Sequence, residues 1–136
     1  MKCATALVIA ALSLPTHSAD TLPVALKGRW YGVGGGGSKN NYDVALSDLK
    51  QSPDGSVAGK LTRFGNGCGA NGEPINGSFD GTTLKLESMS RAGVNTRRMG
   101  GDCGLDKYVL KREDDGKFVG TLEDKQGNSF TVELSP

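Results

Sequence analysis

The sequence predicts an all-β domain, an eight-stranded antiparallel up-and-down meander closed into a small barrel with one disulfide. Two observations predict it. Glycine and other turn-forming residues punctuate the chain at roughly ten-residue intervals, and the segments between them alternate apolar and polar residues with period two. No stretch sustains the 3.6-residue apolar period of a helix, so helices are expected to be few and short.

The strands are expected over roughly 28–34, 42–51, 56–64, 74–79, 82–89, 106–113, 117–123 and 128–134, with Asn76-Gly77 an alternative turn inside the fourth. Asp54-Gly55, Asp80-Gly81 and Asp115-Gly116 mark three hairpins, because this pair tolerates the positive φ of tight turns. Two of these turns open similar strands, Asp54 to Thr62 and Asp115 to Glu123, a repeat at the level of the hairpin.

Alternation assigns the faces. Val44, Leu46, Val57, Leu61, Leu84, Leu86, Tyr108, Leu110, Phe118, Leu122, Phe130, Val132 and Leu134 fall in the inward phase. Asp43, Lys60, Lys85, Glu87, Lys111, Thr121, Thr131 and Glu133 fall between them and face water. Asp48-Leu49 breaks the phase, which predicts a β-bulge. Closing the meander into a barrel removes its exposed edges, and at eight strands the interior holds side chains or one small ligand. The bulky inward residues favour a filled core.

The first nineteen residues read as a secretory signal peptide: basic Lys2, an apolar run from Ala4 to Leu14, Pro15, then the small residues Thr16, Ser18 and Ala19. Cleavage is expected after Ala19 or after Ser18. The run is shorter than the roughly 20 residues of a membrane span, so no integral insertion is expected. Residues 20–136 form the single domain, exported to the periplasm or the medium and expected to be monomeric.

Export changes the chemical inventory. Lys2 is one of 16 lysines and arginines set against 15 acids, so its loss leaves the domain neutral and disfavours nucleic acid as a partner. Cys3 and the single histidine, His17, leave with it. Cys68 and Cys103 then form an even pair, which in an oxidising compartment predicts a disulfide. A domain without histidine or free thiol has no histidine triad, histidine base, histidine metal ligand or thiol nucleophile. No catalytic residue, metal or cofactor is expected, and the chain reads as a non-enzyme.

Motifs that suggest small ligands fail on their details. Gly32 to Lys39 ends in Gly-Ser-Lys where a phosphate loop needs Gly-Lys-Ser/Thr, and a strand follows it instead of a helix. Glu113, Asp114 and Asp115 lack the ligand spacing of a calcium loop. Tyr31 and Tyr42 flank the glycine run and could stack on a sugar ring, although phase with Val44 turns Tyr42 inward.

Gly28-Arg29-Trp30, near the start of the first strand, resembles the Gly-x-Trp signature of the lipocalin and avidin barrels, the calycin group. The resemblance covers three residues together with strand number and order. It implies a tryptophan packed across one end of the barrel. It does not extend to biotin, whose site in avidins uses several tryptophans where this chain has one.

In a meander, successive links alternate between the two ends. The three Asp-Gly turns therefore share one end. Links 34–41, 65–73, 90–105 and 124–127 share the other, with Cys68 and Cys103 in two of them. Long loops on a rigid scaffold are where contacts concentrate. Lys39, Arg63, Arg91, Arg97 and Arg98, with Asn40 and Asn95, are the candidate binding residues at this rim, offset by Glu73, Asp102 and Asp106. The expected function is non-enzymatic binding of a protein or glycan by the disulfide-tied end, whose cations suit an acidic partner. Small envelope proteins that inhibit lysozyme share this size and compartment, although a basic rim suits basic lysozymes poorly. The alternative is a small-ligand carrier with a calycin-like cavity.

Overall fold

The computed structural model describes residues 21–33, 39–64, 72–88, 106–124 and 127–136. They form β1 Leu26–Val33, β2 Lys39–Gln51, β3 Ser56–Phe64, β4 Glu73–Phe79, β5 Thr83–Ser88, β6 Lys107–Arg112, β7 Phe118–Glu123 and β8 Ser129–Ser135. Each strand pairs antiparallel with the next, and β8 returns to β1, so the sheet closes in chain order. Strand ends agree with the sequence reading to within three residues. Asn76 and Gly77 lie inside β4, laddered to Glu87 and Leu86, and do not turn the chain. Among the described residues no helix is long and apolar enough to cross a membrane.

Every residue assigned inward by alternation is buried, from Val44 on β2 to Leu134 on β8. All eight strands contribute to one apolar cluster. The cluster also takes Leu22, Leu26, Leu49, Ile75 and Phe79. Phe79 and Phe118 meet at 5.8 Å between ring centroids near the end bearing the Asp-Gly turns.

The bulge falls where the phase breaks. The β2–β3 register shifts between Ser47 and Lys50, and Asp48 carries it with a φ of 52°. A left-handed conformation is uncommon outside glycine but tolerated by aspartate. The extra residue turns Leu49 into the core, and the Leu49 N–H donates to the Val24 carbonyl at 2.9 Å. The segment before β1 is thus tied to the bulge and adds Leu22 to the core.

Links 52–55, 80–82 and 113–117 share one end, as chain parity requires. They are built alike. The Asp54 carboxylate accepts from the Ser56 N–H at 2.9 Å, Asp80 from Thr82 at 2.9 Å, and Asp115 from Lys117 at 3.0 Å. Gly55 supplies the positive φ of its turn, at 88°. The links after β1, β3, β5 and β7 all leave from the opposite end.

Candidate functional site

The long-link end is the chemically unusual part of the molecule. Its mouth has an aromatic half and an ionic half. On the β8–β1–β2 side, Trp30 packs against Tyr42 at 4.7 Å and edge-on against Phe130 at 4.8 Å. Trp30 sits two residues after Gly28 in the inward phase and is buried.

On the β3–β6 side the inward phase ends in polar residues. Arg63 is the penultimate residue of β3, Glu73 opens β4, Ser88 closes β5, and Asp106 immediately precedes β6. The Arg63 Nη2 pairs with Glu73 Oε1 at 2.7 Å and also donates to the Asp106 carboxylate. Ser88 Oγ accepts from the Asp106 N–H at 3.0 Å, and the Ser88 N–H donates to the Asp106 carbonyl at 3.0 Å. A longer contact of 3.5 Å joins Arg63 to Ser88 Oγ. One guanidinium therefore holds the roots of both long links, 65–72 and 89–105.

The node is nearly dry. Side-chain exposure is 3% for Arg63, 4% for Glu73 and 13% for Asp106. Burial works against the Arg63 charge, but the Tyr108 phenol and the Asp106 and Glu73 carboxylates outweigh it and hold the guanidinium protonated more firmly than usual. Burial pushes the Tyr108 hydroxyl upward, well beyond the ordinary phenol range. That hydroxyl lies against the guanidinium. Among the described residues Arg63 Nε and Trp30 Nε1 have no hydrogen-bond partner.

Asp106 is raised above the ordinary value of 3.8, mostly by burial; Arg63 opposes the shift and the Asp124 charge adds to it. The folded state therefore takes up a proton that the unfolded chain releases. This contribution to stability is full below 3.8 and is lost as pH rises through the folded value. Asp54 and Asp80 act with the opposite sign, because hydrogen bonds from Ser56 and from Thr83 and Thr82 lower them. Asp106→Asn isolates the one group. Urea unfolding between about pH 4 and pH 7 should show the variant gaining on the wild type as pH rises. A difference that stays flat would show that the Asp106 carboxyl is not perturbed.

The expected rim residues divide into three sets. Lys39 and Asn40 begin β2 and ladder with Val33 and Gly32, so their backbone stands at this end. Arg63, expected as a candidate binding residue exposed at this rim, is instead buried and turned into the barrel. The expected offset by Glu73 and Asp106 is real, but as buried ion pairs. Cys68, Arg91, Asn95, Arg97, Arg98, Asp102 and Cys103 lie outside the described residues.

Sequence reasoning missed the node, although the signal was present. Arg63 is in phase with Leu61, Glu73 with Ile75, Ser88 with Leu86, and Asp106 with Tyr108. Among the described residues no group of three histidine, cysteine or acidic side chains is placed to hold a metal. Comparison with protein-family models, with curated proteins and with solved structures finds no match to this chain.

Proposed function

We propose that the protein is an exported, non-enzymatic binding protein that contacts a macromolecule or glycan through its long-link end. The observation that carries this reading is the contrast between the ends. One carries three short Asp-Gly turns, while at the other a buried ionic node ties down the roots of two long links. Buried ion pairs are poor sources of net stability, and departures from an apolar core tend to coincide with function. Holding the roots fixed limits the ordering cost of contacts made by the loops.

In this reading residues 1–19 direct export and are removed, and Cys68 and Cys103 form a disulfide between the two links. The likeness to calycins is a finer proposal, supported by Gly28, Trp30 and the eight-strand meander. The carrier alternative needs an interior cavity, whereas two depressions among the described residues, of about 490 and 440 Å³, lie on the outer surface beside Lys85 and Val109 and beside Pro53 and Asp80.

The test is capture of envelope components on the immobilised, oxidised protein, with Arg97→Ala plus Arg98→Ala as control. The double variant should unfold within about 0.5 kcal/mol of wild type and bind an acidic partner more weakly. Equal capture by both would remove the basic link from the site. Reduction should lower the melting temperature, since a bridge of this length contributes about 3–4 kcal/mol on the loop-entropy model. An unchanged melting temperature would show the cysteines unpaired.

A further inference from the structure

We propose that the outer wall at the long-link end, between Tyr31 and Phe64, is a platform for a neutral, linear, β-linked polysaccharide. The inference deepens the reading of this end as the contact surface and rests on it. Tyr31 on β1 is 43% exposed and Phe64 on β3 is 52% exposed, and they are the exposed aromatic side chains among the described residues. Isolated apolar residues on a surface need no explanation. These two differ because they stand on one wall, at one end, with hydrogen-bonding side chains between them.

The register fixes the arrangement. Arg29, Asp43 and Phe64 are laddered in one row across β1, β2 and β3. Thr131, Tyr31 and Asn41 form the next row toward the links. Two strand spacings and a two-residue rise set the aromatic Cα atoms roughly 12 Å apart. A linear oligosaccharide bridges that span and a single sugar does not.

The chemistry between the rings points to the same class. Arg29 Nε pairs with Asp43 Oδ1 at 3.2 Å, with the side chains 56% and 63% exposed. The pair cancels its own charge and still presents guanidinium donors and a carboxylate acceptor to a neighbour. Asn41 and Thr131 are exposed beside it and add an amide and a hydroxyl. Aromatic faces match the C–H faces of equatorially substituted pyranoses, and a donor–acceptor row matches their hydroxyls. A charged polymer would instead have to break the Arg29–Asp43 pair.

The test uses the oxidised mature protein and four probes: a β-1,4-linked N-acetylglucosamine hexamer, insoluble chitin, dextran and free N-acetylglucosamine. Amide NMR titration with the hexamer should move Tyr31, Asn41, Asp43 and Phe64 and saturate, with the monosaccharide at least tenfold weaker. Co-sedimentation with chitin shows whether the uncharged polymer itself is bound, and dextran, whose α-1,6 links interrupt the run of equatorial faces, should not bind. Tyr31→Ala plus Phe64→Ala should weaken the hexamer about tenfold or more. Tyr31→Phe should retain binding, since it keeps the ring. An unchanged melting temperature shows that the double variant is folded.

Absence of saturable binding to both β-linked probes would overturn the proposal, and so would equal affinity in wild type and the double alanine variant. Either result leaves the long-link reading intact if Arg97→Ala plus Arg98→Ala still loses a captured protein.

Discussion

Replacing Arg63 with methionine is expected to lower the unfolding free energy by about 3–5 kcal/mol at neutral pH, the cost of breaking a buried ion pair from one side. The guanidinium is the shared partner of Glu73 and Asp106, and its removal takes a buried positive charge away from both carboxylates. Methionine restores much of the volume, so the loss measures the missing charge more than a cavity. Urea denaturation gives the number directly. The deficit should shrink toward acid pH, where the carboxylates can take up protons.

A second set of variants separates net worth from removal cost. Arg63→Met combined with Glu73→Leu and Asp106→Asn deletes the charges together, and such replacements are often neutral or stabilising. The triple variant should therefore recover most of what the single one loses. A loss below about 1 kcal/mol in Arg63→Met would mean that water reaches the site and that the node is not a buried clamp. If the triple variant is stable but its long links exchange amide protons faster, the node holds the roots of the links without stabilising the fold as a whole.

The fold was legible because a meander barrel obeys local rules. Asp-Gly turns fix where strands reverse, and period-two alternation fixes which side chains go inside; both were read correctly from Val44 to Leu134. Even the bulge was visible at Asp48-Leu49. The node was misread for a different reason. Arg63 carries a charge, so residue type was allowed to override position, although Val57, Leu61 and Arg63 share one phase. Burial of a charge depends on partners supplied by other strands, and no window along β3 contains Glu73 or Asp106. Leu22 was missed on similar grounds, since only the contact of Val24 with the bulge brings its segment onto the core. The wall around Tyr31 and Phe64 needed the register, because Asp43 joins the two aromatic strands from the strand between them.

Gly28 gives the second large effect, and it assigns a physical role to the Gly-x-Trp resemblance. It pairs with Val44 on one side and Leu134 on the other, at the seam where β8 returns to β1. A Cβ there would run into the Glu133 carbonyl oxygen and lie 2.9 Å from the Leu134 Cα. Both are backbone atoms, so no side-chain rotation relieves the clash. Gly28→Ala is expected to cost about 3 kcal/mol or more, at or above the upper range for overpacking. Gly116→Ala is the control. Its φ is +88° with nothing within 4 Å, so it carries only the penalty of a left-handed backbone, about 1–2 kcal/mol. Denaturant midpoints rank the two, and hydrogen exchange locates the damage. In Gly28→Ala the β1–β8 ladder should exchange fastest, while β4–β5 stays protected. The indole of Trp30, packed between Tyr42 and Phe130 across the same seam, should report the loosening by its fluorescence. If Gly28→Ala matches Gly116→Ala in stability, the seam has room for a methyl group and the glycine of the motif has no steric role in closing this barrel.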